Sequence, residues 1–199
     1  MNFKFLLATN NPNKVREYRQ LFGDLPYSFK LPDAAIAFPP ETDRTFRENA
    51  IAKALFIARL YPDFPVIGED SGLVVPFLGG LPGINSARFA GPDGDDGKNI
   101  EKLLKYMEDA RGTERAAYFV CDIALVLPFR NCKVKVFEGK VRGVITGQKR
   151  GKSGFGYDPV FEIPRLRKTF AEMSSEEKNR ISHRAIAVRK MIEYLKKAV

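Results

Sequence analysis

The chain has 199 residues, among them 33 Lys and Arg, 24 Asp and Glu and a single His, for a formal net charge of +9. At 44% hydrophobic and 29% charged it has the make-up of a globular protein, and no apolar run approaches the about 18 residues that a membrane helix needs, which excludes a chain of membrane-spanning helices. The length suits one sizeable core, so a single domain over 1–199 is expected. The opening "MNFKFLLATNN" lacks the length of a signal h-region, and a cytoplasmic location is expected. The basic surplus is interleaved with acids, as in "KVREYRQ" and "RTFRENAIAK", so most of it reads as solvated helix face. The remainder suits a polyanionic small molecule, although charge alone does not separate that from RNA.

In chain order, "NFKFLLA" reads as a buried strand ended by the turn "TNNPN". "KVREYRQLF" then sets Val15, Tyr18, Leu21 and Phe22 at helical spacing. Thr45 to Glu48 has the pattern of a capping box opening a helix that Pro62 closes. "PVIGEDSGLVV" reads as a strand interrupted from Gly68 to Gly72, and "DDGKNIEKLLKYM" as a helix with Asp95 or Asp96 at its cap. "RAAYFVCDIALVLPF" and "KVKVFEGKVRGVIT" read as long strands joined by a turn around Arg130 and Asn131. Ser174 to Glu177 starts a C-terminal helical region in which Ile181, Ala185, Val188, Ile192 and Leu195 line one face. Cys121 and Cys132 lack metal-site spacing and read as free thiols. The mixture predicts an α/β domain with a mixed sheet and its sites in the loops at strand ends.

Five places carry candidate chemistry. Thr9, Asn10, Asn11, Pro12, Asn13 and Lys14 form a strand-to-helix turn of the kind that favours phosphate, through backbone N–H groups, the positive helix end and one lysine. The plain alternative is a capped turn with Asn13 as cap and Lys14 in solvent. Glu41 lies in the acidic loop "PPETDR". Glu69 and Asp70 sit in an apolar strand, where carboxylates are costly unless paired or metal-bound, and Mg²⁺ suits such oxygen ligands together with phosphates. Neighbouring strand residues face opposite ways, so Glu69 and Asp70 reach one site only if the chain bends. Lys53, on the helix after Thr45, is within reach of the same region or else solvated.

The fourth place, "GQKRGKSGFGYDP", looks like a phosphate loop, but three residues rather than four separate Gly147 from Gly151-Lys152-Ser153. Gly154, Gly156 and Pro159 also prevent a following helix. Its glycines instead suit an exposed Phe155 stacking on a planar base, with Asp158 accepting from a ring N–H. The alternative is a turn with Phe155 and Tyr157 as core plugs. The fifth is "EKNRISHRA", with Lys178, Ser182, His183 and Arg184 as donors, or with His183 as a structural cap.

Together the stretches "LATNNPNK", "ETDRTFRENAIAKA", "GEDSGL", "LGGLPGINSARFAG", "SGFGYDPVF", "KTFAEMSSEEKN" and "ISHRAIA" resemble the inosine/xanthosine triphosphate pyrophosphatases, which hydrolyse non-standard purine nucleoside triphosphates. The match runs nearly end to end. Asn10 stands where members of that family often have Gly, and Glu69 where many have Asp. The resemblance implies a long mixed twisted sheet with helices forming two lobes around a central nucleotide-binding cleft, and a homodimer. It implies that Thr9 to Lys14, Lys53 and Ser71 hold phosphates, that Glu41 and Asp70 bind Mg²⁺, and that Asp70 is the base for water. It further implies that Phe155 stacks on the purine within the Phe155-Gly156-Tyr157-Asp158 segment, that Asp158 and Lys178 meet the purine edge, and that His183 and Arg184 complete the pocket around the 6-oxo group. No membrane and no stable nucleic-acid complex are expected. A Maf-like pyrophosphatase would carry Ser and Arg in place of "TNNPNK", and a non-enzymatic RNA-binding module leaves Glu41, Glu69 and Asp70 unexplained. The apolar, glycine-rich run at 77–91 is unlike a helix and needs cover, which the resemblance assigns to the subunit interface.

Overall fold

The computed structural model describes residues 3–23, 25–38, 45–128 and 133–198. Seven strands form one sheet: β1 (Phe3–Ala8), β2 (Tyr27–Lys30), β3 (Val66–Val74), β4 (Ala116–Val126), β5 (Val134–Ile145), β6 (Phe161–Ile163) and β7 (Lys168–Thr169), in the order β2-β1-β3-β4-β5-β6-β7. β1 pairs in parallel with β2 and β3, whereas β6 pairs antiparallel with β5 and β7, so the sheet is mixed as expected. The helices are α1 (Pro12–Phe22), α2 (Phe46–Leu60), α3 (Asp96–Tyr106), α4 (Ser175–Ile181) and α5 (His183–Ala198). Among the described residues no helix is long and apolar enough to cross a membrane.

The chain divides into two compact units. Unit 1 takes residues 1–70, 121–139 and 185–199; unit 2 takes 71–120 and 140–184. Unit 1 has an apolar cluster on each face of its part of the sheet, and the strand period sorts the residues between them. Phe5 and Leu7 of β1, Ile67 of β3 and Cys121, Ile123 and Leu125 of β4 pack with Tyr18 and Phe22 of α1 and Val188, Met191 and Leu195 of α5. Leu6, Ala8, Val66, Ala124 and Val126 turn the other way and pack on Ala50, Ala54 and Ile57 of α2. At Gly68 the approach of α2 leaves no room for a side chain: a Cβ there would stand 2.7 Å from the Ala54 nitrogen and 2.8 Å from its Cβ. Unit 2 has its own core, built from Leu73, Phe89, Leu103, Phe119, Tyr157, Phe161 and Phe170 with their neighbours.

The helix starts follow their caps. Asn11 caps α1, its Oδ1 accepting from the N–H groups of Asn13 and Lys14, with Pro12 at the first helical position. Asn13 is therefore not the cap. Thr45, Asp95 and Ser174 cap α2, α3 and α4, and Ser174 forms a full capping box with Glu177. Two further expectations change. β3 runs through Gly68 to Gly72 without interruption. The C-terminal helical region breaks at Ser182, whose ψ of 156° is extended, so Ile181 ends α4 and packs on the unit 2 core while Val188, Ile192 and Leu195 serve unit 1. The turn around Arg130 and Asn131, together with Cys132, lies outside the described residues.

Candidate functional site

In unit 1, β3 being a continuous strand decides the fate of its two acids. Glu69 and Asp70 point to opposite faces, and each meets a lysine there. Glu69, 1% exposed, lies 3.2 Å from Lys14 Nζ of α1. Asp70, 5% exposed, takes Lys53 Nζ of α2 on Oδ1 at 3.1 Å and the Asn49 side-chain N–H on Oδ2 at 3.0 Å. Asn49 and Lys53 are one helical turn apart, so a single stripe of α2 grips both carboxylate oxygens. Neither lysine is solvated. Glu41 lies outside the described residues.

The turn before α1 is tied up by its own side chains. Thr9 Oγ1 accepts from the Asn11 N–H at 3.1 Å, and Asn11 Oδ1 holds the N–H groups of Asn13 and Lys14 at 2.9 and 3.2 Å. Pro12 has no N–H. The backbone N–H groups of Asn11, Asn13 and Lys14 are thus engaged within the turn, and its attraction for an anion rests largely on the helix dipole and on Lys14.

Two residues here were not anticipated. Asp122 lies in the apolar run "FVCDIALV" of β4, on the sheet face that Ala124 and Val126 share with α2, and it is 7% exposed. Burial pushes its carboxyl up to about 6, with Glu138 and Asp70 adding to the shift and Arg47 opposing it. Acids in an apolar strand are the signal that marked Glu69 and Asp70, so Asp122 was legible by the same argument. Asn49 was not, because an amide one residue beyond a helix-start acid reads as surface. It is 2% exposed, and among the described residues its Oδ1 has no hydrogen-bond partner.

Unit 2 gathers the other group of expected residues. Asp158 Oδ2 accepts from Lys178 Nζ at 2.6 Å and from the Phe155 backbone N–H at 2.9 Å, and both side chains of the ion pair are buried. The positive φ of Gly154, +80°, brings the chain so close that a Cβ would stand 2.8 Å from the Asp158 carboxyl carbon, which is why glycine stands there. Phe155 is half-buried. Lys178 Nζ lies 5.0 Å and the Arg184 guanidinium 5.8 Å from its ring centre. Arg184, 1% exposed, donates to Ser71 Oγ at 2.9 Å, and Ser71 follows Asp70 in the chain. His183 opens α5 and stacks on Phe119 with ring centres 4.7 Å apart and planes at 10°. The Gly156 N–H donates to Asp96 Oδ2 at 2.7 Å, an anchor for the loop that the sequence offered only as a helix-cap candidate. Tyr157 takes the core-plug alternative: it is 3% exposed and its hydroxyl donates to the Ser86 carbonyl at 2.9 Å. Burial, and behind it Asp96, pushes that hydroxyl well above the usual tyrosine range.

The Ham1 family profile matches residues 5–194. The chain belongs to the Ham1 family. A dITP/XTP pyrophosphatase of Halalkalibacterium halodurans is 44% identical over 194 residues, covering 96% of this chain and 98% of that protein. Among solved structures, the Ham1 protein of Staphylococcus aureus is 40% identical with a TM-score of 0.84, covering 98% of this chain and all of the other. A HAM1 protein from Coxiella burnetii is 36% identical with a TM-score of 0.87, covering 98% and 99%.

The residues present suit Mg²⁺. The ion prefers hard oxygen ligands, one or two carboxylates completed by phosphate oxygens and water. Asp70 offers such an oxygen pair, with its orientation fixed from α2. The described residues hold no cluster of three or more acidic, His or Cys side chains, so most of the coordination would fall to substrate, water and Glu41.

Proposed function

We propose that this Ham1 protein is a Mg²⁺-dependent nucleoside triphosphate pyrophosphatase. It converts ITP, dITP and XTP with water to the monophosphate and pyrophosphate, which keeps deaminated purines out of DNA and RNA. The observation that carries the reading is the grip of Asn49 and Lys53 on the buried Asp70, the residue that the family resemblance makes the base. The naming of its Halalkalibacterium relative as a dITP/XTP pyrophosphatase supports the substrate class.

In this reading unit 2 receives the purine. Phe155 stacks on the base, Asp158 and Lys178 meet its edge, and Arg184 and His183 offer donors to the 6-oxo acceptor. Adenine presents a 6-amino donor there and would leave buried groups unpaired. Unit 1 receives the triphosphate, with Lys14 and Lys53 as cations and the α1 start as a positive end. Glu41 and Asp70 would hold Mg²⁺, which when bound supplies charge opposite the phosphate oxygens and makes nearby water more acidic. Asp70 takes the water proton as the oxygen attacks the α-phosphorus. The bond from that phosphorus to its bridging oxygen breaks, and the electron pair leaves with pyrophosphate. Lys14 and Lys53 face the charge that develops.

The whole chain acts as one functional unit in the cytoplasm, as a homodimer and without a stable nucleic-acid complex. A panel of ITP, dITP, XTP, GTP and ATP assayed for pyrophosphate release with and without Mg²⁺ tests the activity. Release from the deaminated purines alone, and only with the metal, is the expected result. Hydrolysis of ATP at an equal rate, or release of orthophosphate, would overturn it.

A further inference from the structure

We propose that Asn49 positions the attacking water, a role that rests on the pyrophosphatase reading above. The orientation of this amide follows from chemistry. A carboxylate only accepts hydrogen bonds, so the end facing Asp70 Oδ2 at 3.0 Å must be the NH₂ group. Oδ1 lies beside that group on the same planar amide and so stands close to the carboxylate. Among the described residues it is a buried acceptor with no donor, in a side chain 2% exposed. Such an atom is rare in a native interior and calls for a partner with a proton to give.

The partner must also suit its neighbour. Oδ1 and the Asp70 carboxylate are both acceptors, and a water molecule carries two protons. With one proton on Asn49 and the other toward Asp70, its lone pairs turn away from both, toward an electrophile. That is the orientation attack at phosphorus requires. Asp70 removes one proton while Asn49 keeps the other in place, the new oxygen–phosphorus bond forms, and the bridging oxygen leaves with pyrophosphate. Asn49 thus has a double task at one amide: its nitrogen aims the base and its oxygen aims the nucleophile. Lys53, one turn along α2, holds the second carboxylate oxygen at 3.1 Å and keeps the base from turning.

Asn49→Ala, with Asn49→Leu of nearly the same shape made alongside it, tests the role. The expected result is a kcat on ITP lowered roughly 10- to 100-fold, the loss that accompanies a misplaced reactant. KM should stay within about threefold, and the Kd for a non-hydrolysable α,β-methylene analogue of ITP should be unchanged by calorimetry. A wild-type kcat in either folded variant would overturn the role. So would a parallel loss of kcat and of analogue affinity, which marks a structural part or uniform binding. If the wild-type protein releases no pyrophosphate from any deaminated purine triphosphate, the pyrophosphatase reading fails and takes this role with it. If the wild type turns over and the variants match it, only the role of Asn49 fails.

Discussion

Asp70 is gripped from α2 by Asn49 and Lys53, and the consequences of removing its charge can be read from them. Asp70→Asn removes the base and a metal ligand at constant volume, and turnover should fall about 10²- to 10⁴-fold. It also takes the Asp70 charge away from the buried Lys53, so stability should fall by about 3 kcal/mol, visible as a lower urea midpoint with native circular dichroism retained. Asp122 gives the opposite case. Its folded carboxyl titrates at about 6 against an ordinary 3.8, so the folded state holds the proton more tightly. That stabilising effect is fully present below 3.8 and is lost as pH rises through 6. Asp122→Asn should therefore match the wild type at pH 4 and be more stable by about 1–3 kcal/mol at pH 8, measured by urea unfolding without divalent cations. Both acids were legible in sequence as charges inside apolar strands. What the sequence withheld was pairing: nothing in "RENAIAK" tells that Asn49 and Lys53 turn inward, because helix α2 buries its polar stripe on β3 and carries Arg47 and Glu48 on its exposed side.

Element boundaries were readable wherever the chain announces them with a cap or a proline, as at Asn11-Pro12, Thr45 and Ser174. They were not readable where the signal is tertiary. No glycine or proline marks the break at Ser182; its backbone N–H still closes α4 onto the Lys178 carbonyl at 2.8 Å while the side chain is wholly buried. β6 and β7, at three and two residues, are too short to show a period. Gly68 is the reverse, a residue that looked like a breaker and proves to be a contact. The backbone of α2 lies where its side chain would be, and Gly68→Ala should cost about 1–3 kcal/mol as α2 is pushed off β3. Since Asn49 and Lys53 ride on that helix, kcat should fall with it. Equal stability and equal kcat in Gly68→Ala would show that α2 does not rest on β3 as described.

At the scale of the molecule, the apolar run at 77–91 divides its labour. Phe89 is buried in the unit 2 core and Leu78 packs against it, but Phe77 and Leu81 remain 45% and 42% exposed. The dimer proposal therefore narrows to those two side chains. Light scattering at micromolar concentration should give twice 22.4 kDa, and Phe77→Asp should return the mass to the single value. A wild-type mass near 22.4 kDa would remove the dimer and leave the assignment of Asp70 untouched.

The interleaving of the two units also sets an order of assembly. Residues 71–120 and 140–184 contain all of unit 2, so during synthesis it is complete before α5 has been made beyond its first two residues. Unit 1 holds the first strand, yet it waits for Ala187, Val188, Met191, Ile192 and Leu195 to seal one face of its sheet. Until then Phe5, Leu7 and Ile67 lack part of their cover, and the contacts that close over them join opposite ends of the chain. Closure over such sequence distance is slow, so the nascent protein carries a sticky, half-built sheet face for most of its synthesis. The part of the chain made first is the part that folds last, and a chaperone that recognises exposed apolar strands would find its target there.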